Sequence, residues 1–144
     1  MSDAAAVARQ WACQQLLLRF FLLLDEKRYE EVAALFDVDG SWERPLSTSS
    51  GQDEILTALR ARPVQRSTHH VVSNVLIEHD DGHAVKASCL LTTYAADVSR
   101  PGSAPALVDS LAGLYRAHAT LSTDGGEPRL TRLELVSAWS SARV

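Results

Sequence analysis

The chain has 144 residues, of which 46% are hydrophobic and 22% charged, and its formal net charge is -4. That length and balance suit one folded domain, residues 1–144, whose core needs no metal or disulfide staple. The acidic balance and the lack of a Lys/Arg cluster exclude nucleic acid as an expected partner. The two cysteines, Cys13 and Cys89, form no C-x-x-C pair, which fits a reducing, cytoplasmic compartment, with a single disulfide as the alternative.

Residues 4–24 are rich in Ala, Leu and Gln and contain no Gly or Pro. Val7, Trp11, Leu18 and Leu22 recur at helical spacing, so a long first helix is expected. Its second half, residues 16–24, is apolar nearly all round and must be covered on most sides. Arg19 interrupts that run, it is too short to span a bilayer, and DEKRYEE follows it instead of a small-residue cleavage site. It therefore reads as a buried helix, with no membrane partner. Asp25-Glu26-Lys27-Arg28 breaks the apolar pattern, and residues 29–36 form a short second helix. Taken by itself, Asp25 is a cap for that helix. Residues 37–40 read as a turn, residues 41–44 as a short strand stopped by Pro45, and residues 47–51 as a flexible loop. Ser50 with Asp53 reads as a capping-box variant that opens a third helix through Ile55, Leu56 and Leu59. Arg60 and Arg62 suit its C-terminus, and Pro63 stops it.

The periodicity then changes. Residues 67–79, STHHVVSNVLIEH, are β-formers without Gly or Pro. Strict alternation puts His70, Val72, Asn74 and Leu76 on one face and His69, Val71, Ser73, Val75 and Ile77 on the other. The first face mixes polar and apolar groups as a pocket wall does. The second is aliphatic, and Val71, Val75 and Ile77 are too apolar to face water together, so a homodimer through the outer sheet face is expected. Read alone, His70 is equally a buried histidine bonded to a neighbour. Asp80-Asp81-Gly82 signals a hairpin, and residues 83–97 form a second long strand. A loop at 99–105 leads to a third strand, residues 106–121, with Tyr115, Ala117, Ala119 and Leu121 on one side and Arg116, His118 and Thr120 on the other. After a turn at 123–128, residues 129–139 alternate Leu133, Leu135, Ser137 and Trp139 against Arg132, Glu134 and Val136, and a loose tail follows. The fold class is α+β, with helices covering one face of a curved antiparallel sheet.

This order, with Arg19-Phe20-Phe21, Leu24-Asp25, Tyr29-Glu30, Ala34-Leu35-Phe36 and Ser41-Trp42-Glu43, resembles the opening of the NTF2-like (SnoaL-like) superfamily. The resemblance covers nearly the whole chain and implies a cone: a strongly bent sheet around the first helix, with a pocket inside. Ketosteroid isomerase, in the same superfamily, uses positions that correspond here to Phe20, Arg44 and Ala117, and all its catalytic residues there are lost. Scytalone dehydratase is more similar. Its Asp in a D-x-K-x-aromatic context matches Asp25-Glu26-Lys27-Arg28-Tyr29, and its strand-opening His matches His70-Val71-Val72. Tyr94 stands where it has a second His, and Trp42 or Glu43 where it has a Tyr.

The resemblance implies a cofactor-independent dehydratase or isomerase-type lyase acting on a small apolar carbonyl compound. His70 would move the proton, and Asp25 would fix its tautomer. Asn74 and Tyr94 would touch polar atoms of the ligand, with Trp42 and Tyr115 as pocket aromatics. The alternatives are a pocket protein without chemistry and a structural subunit such as NTF2 itself. No spacing of the five histidines suits zinc, and no Gly-rich loop or nucleophile motif is present. No metal and no cofactor are therefore expected. His79 and His83 flank a solvated turn, and His118 points outward.

Overall fold

The first helix, α1 (Asp3–Asp25), buries Cys13, Leu16, Leu17, Phe20, Phe21 and Leu24, which lie three and four residues apart. This is not the expected stripe: Val7, Trp11 and Leu22 are 64%, 61% and 57% exposed. Both stripes have helical spacing, and the one carrying the paired phenylalanines removes more apolar surface from water. The computed structural model describes residues 3–97 and 110–138. The expected loop at 99–105, the strand start at Ala106, Trp139 and the tail lie outside the described residues.

After α1 come α2 (Tyr29–Ala34), β1 (Phe36–Arg44), β2 (Ser47–Ser50), α3 (Gln52–Arg60), β3 (Arg66–Asp80), β4 (Ala84–Asp97), β5 (Ser110–Ser122) and β6 (Arg129–Ser137). The strands form one curved six-stranded sheet in the order β2-β1-β6-β5-β4-β3. All neighbours run antiparallel except β1 and β6, which are parallel. At the centre of the sheet Ala87 faces Ala119 and Cys89 faces Ala117, all of them buried. These short side chains let a helix carrying Phe20 and Phe21 approach. Tyr115, Ala117, Ala119 and Leu121 share the inner face, as expected from their alternation.

Residues 37–40 and 47–50 belong to strands, contrary to the expected turn and loop. A register shift between Phe36 and Ser41 absorbs the turn-like DVDG segment. There a Cβ on Gly40 would lie 2.7 Å from the Leu130 carbonyl oxygen. β2 folds back on β1 across Pro45-Leu46, with Trp42 opposite Ser49. The expected capping box also changes. Gly51, at φ 84°, precedes α3 without a side-chain cap, and Glu54 Oε2 accepts the Ser50 N–H at 2.8 Å.

The largest correction lies in β3. The pairing jumps from Ser73 opposite Leu90 to Leu76 opposite Ser88, so β3 carries one extra residue there. Asn74 takes φ 52° at that bulge, a conformation Asn adopts more readily than most residues. The two halves of β3 thus present opposite parities. Thr68, His70 and Val72 face inward before the bulge, and Val75 and Ile77 pack on the core after it. Val75 and Ile77 are therefore not outer-face residues; Val71 and Leu76 are, at 51% and 59% exposed.

At the far end of β3, Asp80 ties the strand to α1. Arg9 donates to it from Nε at 2.9 Å and Nη2 at 2.8 Å, and Gln10 donates at 3.0 Å. These bonds, the Arg9 bond first, pull the Asp80 carboxyl down to about 2.

Candidate active site

Asp25 is the last residue of α1, and the helix ends in a left-handed turn. Lys27 has φ 58°, its N–H reaches the Leu24 carbonyl, and the Arg28 N–H reaches the Leu23 carbonyl. This pair of bonds closes the helix and aims residue 25 along the sheet. Lys27 Nζ then donates to the Val64 carbonyl at 2.6 Å, fastening the turn to the segment before β3. A carboxylate at a helix C-terminus sits at the negative end of the dipole, and no basic residue lies in the last turn. Asp25 needs other partners, and β3 supplies them.

His70 donates to both of its oxygens. The ring Nδ1 lies 2.6 Å from Oδ1, and the backbone N–H is 2.8 Å from Oδ2. The Thr68 hydroxyl adds a third bond, 3.1 Å to Oδ1. Burial pushes the Asp25 carboxyl up, but the His70 ring, the His70 amide and Thr68 outweigh it, and the group lies below its ordinary value. Asp25 is therefore ionised at neutral pH, and Nδ1 carries the ring hydrogen. Nε2 is left as the atom able to take a proton, and no hydrogen bond among the described residues engages it. The Phe21 ring, 5.3 Å from the imidazole, backs it on the core side. The alternative role of Asp25 as a cap for α2 does not hold: Arg28 occupies that position, without a side-chain bond.

His70 lines a cavity of about 310 Å³ at the open end of the sheet. Thr68 and Arg66 share its face of β3, Leu91 and Thr93 come from β4, Tyr115 from β5 and Leu135 from β6. Arg44-Pro45 and Arg62-Pro63 form the rim. Arg62 Nη2 donates to Thr68 Oγ1 at 3.1 Å, which links the rim through Thr68 to Asp25. A second concavity of about 300 Å³, between Arg19 and Arg129, contains neither Asp25 nor His70.

Of the six residues expected at the site, His70 and Tyr115 line this cavity, and Asp25 lies behind it, bonded to His70 and Thr68. Trp42 is 4% exposed in the core, edge-on to Phe20 at 5.8 Å, with Arg44 stacked over its ring at 4.2 Å. It supports the rim from beneath and does not line the cavity. Asn74 is exposed, because the bulge turns it away from the His70 face. Tyr94 lies opposite His69 on the outer face and is 36% exposed. Sequence reasoning missed Arg66 and Thr68, although a step of two back from His70 reaches both. It also missed Arg44 and Arg62, which read as a strand end and a helix end. Among the described residues no three His, Cys, Asp or Glu side chains converge as a metal site requires, and no helix is long and apolar enough to cross a membrane.

Helices wrapped by a curved sheet, with a polar couple inside its open end, define a cystatin-like, NTF2-like protein. The chain belongs to the SnoaL-like family, whose domain model matches residues 5–134. No curated protein matches it significantly in sequence. Among solved structures it is similar to a provisionally named scytalone dehydratase from Novosphingobium aromaticivorans, at 18% identity and TM-score 0.78 over 99% of this chain and 93% of that one. An NTF2-like protein with a cystatin-like fold from the same organism has 18% identity and TM-score 0.76, covering 97% and 91%. A protein from Catenulispora acidiphila, solved in complex with S-DNPA, has 20% identity and TM-score 0.71, covering 90% and 92%.

Proposed function

We propose that this protein is a cofactor-independent lyase or isomerase of the dehydratase type, acting on a small carbonyl compound bound in the His70 cavity. The observation that carries the reading is the Asp25–His70 couple. One residue grips both oxygens of one carboxylate, at 2.6 and 2.8 Å, on the wall of a cavity of about 310 Å³. A structural histidine needs only one such bond. The ring bond fixes the tautomer, the amide bond holds the carboxylate that makes it, and Nε2 is left without a partner among the described residues, on a residue that lines the cavity.

In this reading Nε2 takes a proton from the carbon next to the carbonyl. The C–H electron pair becomes a carbon–carbon double bond as the bond to a β-hydroxyl breaks. The proton on Nε2 passes to that departing hydroxyl, so water leaves and the enzyme returns to its starting state. Asp25 holds the imidazolium between the two transfers, and Tyr115 lies against the ligand. Without a leaving group, the same proton returned to another carbon gives isomerisation. The name carried by the Novosphingobium neighbour supports the dehydratase form, and the liganded Catenulispora neighbour supports the cavity as a small-molecule site.

The test is solvent-deuterium exchange into a panel of small ketones and β-hydroxy ketones, followed by NMR with wild-type protein and His70→Asn. Exchange or water loss that depends on His70 supports the proposal. Exchange that is equal in a folded His70→Asn variant would sink it and leave a binding protein without chemistry.

The protein is also proposed to be a homodimer. Val71, Leu76, Tyr94 and Val136 stand on the outer sheet face, 51%, 59%, 36% and 44% exposed, an apolar group that association removes from water. Light scattering at micromolar concentration should give twice the chain mass; a monomer there refutes it.

A further inference from the structure

The rim of the cavity holds cations that the protein itself does not neutralise. Arg44 Nη2 donates to Ser49 Oγ at 2.9 Å and Arg62 Nη2 to Thr68 Oγ1 at 3.1 Å, both neutral hydroxyls. Arg44 Nε and Arg62 Nη1 are buried and have no hydrogen-bond partner. Arg66 lies on the same wall. Among the described residues no carboxylate lines this cavity, and none pairs with these three arginines. Yet the chain as a whole carries a net charge of -4, so the concentration of guanidinium here is not general basicity. Burial pushes both Arg44 and Arg62 below the usual arginine value; Arg44 also feels the like charge of Arg62, whereas Arg62 is partly offset by Tyr29 and by Asp25, which forms no ion pair with it, before the like charge of Arg66. Natural proteins pair buried charges; two left unpaired around one cavity mark where a ligand's charge belongs.

We propose that Arg44 and Arg62 form an anion subsite that takes the carboxylate of a small, aromatic-sized organic acid. The planar guanidinium fork matches a carboxylate. The rim suits phosphate poorly: Pro45 and Pro63 have no N–H, so it lacks the amide cradle phosphates use. Leu91, Tyr115 and Leu135 give the opposite wall an apolar surface for the body of the acid. Trp42, stacked beneath Arg44 at 4.2 Å, holds that guanidinium in plane before the ligand arrives. Thr68 bridges Arg62 to Asp25, so an acid seated on Arg62 lies one side chain away from the couple that orients His70. The inference rests on reading this cavity as the substrate site and changes the expected substrate from an apolar carbonyl compound to an acidic one.

Binding without turnover separates the two ideas. Benzoate is the probe, benzamide its neutral counterpart and inorganic phosphate the third arm, titrated calorimetrically into the full chain at low salt. Benzoate should bind roughly 10–100-fold more tightly than benzamide, as a charge-assisted bond implies, and its affinity should fall as KCl is added. Arg44→Gln and Arg62→Gln should each remove most of the preference, and Arg62→Lys, which keeps the charge and loses the fork, part of it. His70→Asn should keep the preference for benzoate over benzamide whatever its effect on overall affinity, so loss of proton chemistry and loss of the subsite are read apart. Should a Gln variant not fold, the wild-type Arg44 Nε–H resonance should still shift on adding benzoate. Equal affinity for benzamide, tighter binding of phosphate, an unmoved Arg44 resonance, or benzoate affinity unchanged in folded arginine variants would each overturn the subsite.

Discussion

The two ends of β3 each tie the strand to α1 through a partly buried charged group, and they do it in opposite ways. At one end each Asp80 oxygen accepts at least two bonds, from Arg9, Gln10 and the Gly82 amide. At the other end Asp25 and His70 satisfy each other, while Nε2 of His70 and the buried Nε of Arg44 and Nη1 of Arg62, on residues that line one cavity, have no hydrogen-bond partner among the described residues. The first cluster is saturated and can only hold. The second leaves donors and an acceptor without partners among the described residues. Buried polar groups that serve stability are satisfied within the fold, and the contrast between the two ends is what the proposed role of the Asp25–His70 end would explain.

Substitutions can break that contrast, and the largest effect is expected at His70. His70→Asn should lower deuterium exchange by roughly 10²–10⁴-fold, the contribution of one general acid–base group, with the circular dichroism spectrum unchanged. Asp25→Asn should cost less activity, because the ring keeps a hydrogen-bonding partner and is only misoriented. It should also lower the melting temperature, which a purely catalytic role would not do. At the saturated end, Arg9→Gln should leave exchange intact and lower the melting temperature by several degrees.

Acid should sharpen the same difference. The Asp80 carboxyl sits near 2 in the fold against about 3.9 in an unfolded chain. A depressed carboxyl contributes stability that is complete above the unfolded value and is lost as pH falls through the folded one. The wild type should therefore lose stability between about pH 4 and pH 2, and in Arg9→Gln that slope should flatten. The smallest effect belongs to the rim: Arg44→Gln should melt at the wild-type temperature or slightly above, because it removes a buried cation without a counter-ion. A drop of several degrees would make Arg44 a structural residue.

Much of this molecule can be read from the chain. The Asp25–His70 couple was expected from the resemblance of Asp25-Glu26-Lys27-Arg28-Tyr29 and His70-Val71-Val72 to a family pattern; read alone, Asp25 was a helix cap and His70 a buried histidine. The long strands and the Tyr115 face followed from period two. What failed did so for local reasons. Period two cannot anticipate an extra residue, so Asn74, Val75 and Ile77 were assigned to the wrong faces. Tyr94 was taken for a pocket residue by position in a family pattern, when its pairing with His69 puts it outside. The DVDG segment has turn residues, yet long-range pairing of β1 with β6 overrides them. Arg44 and Arg62 looked like ordinary ends of elements, since nothing in a linear sequence shows that two rims meet over one cavity.

The bulge at Asn74 has an evolutionary meaning. It separates the stretch before it from the one that runs to a second register shift between Ile77 and His79, so residues 66, 68 and 70 can be exchanged without altering which side chains just beyond the bulge reach the core. Side chains on the cavity wall can change in the first stretch without moving the packing positions of the second. One misplaced residue thus works as a partition between the part of the strand free to vary and the part that keeps the fold.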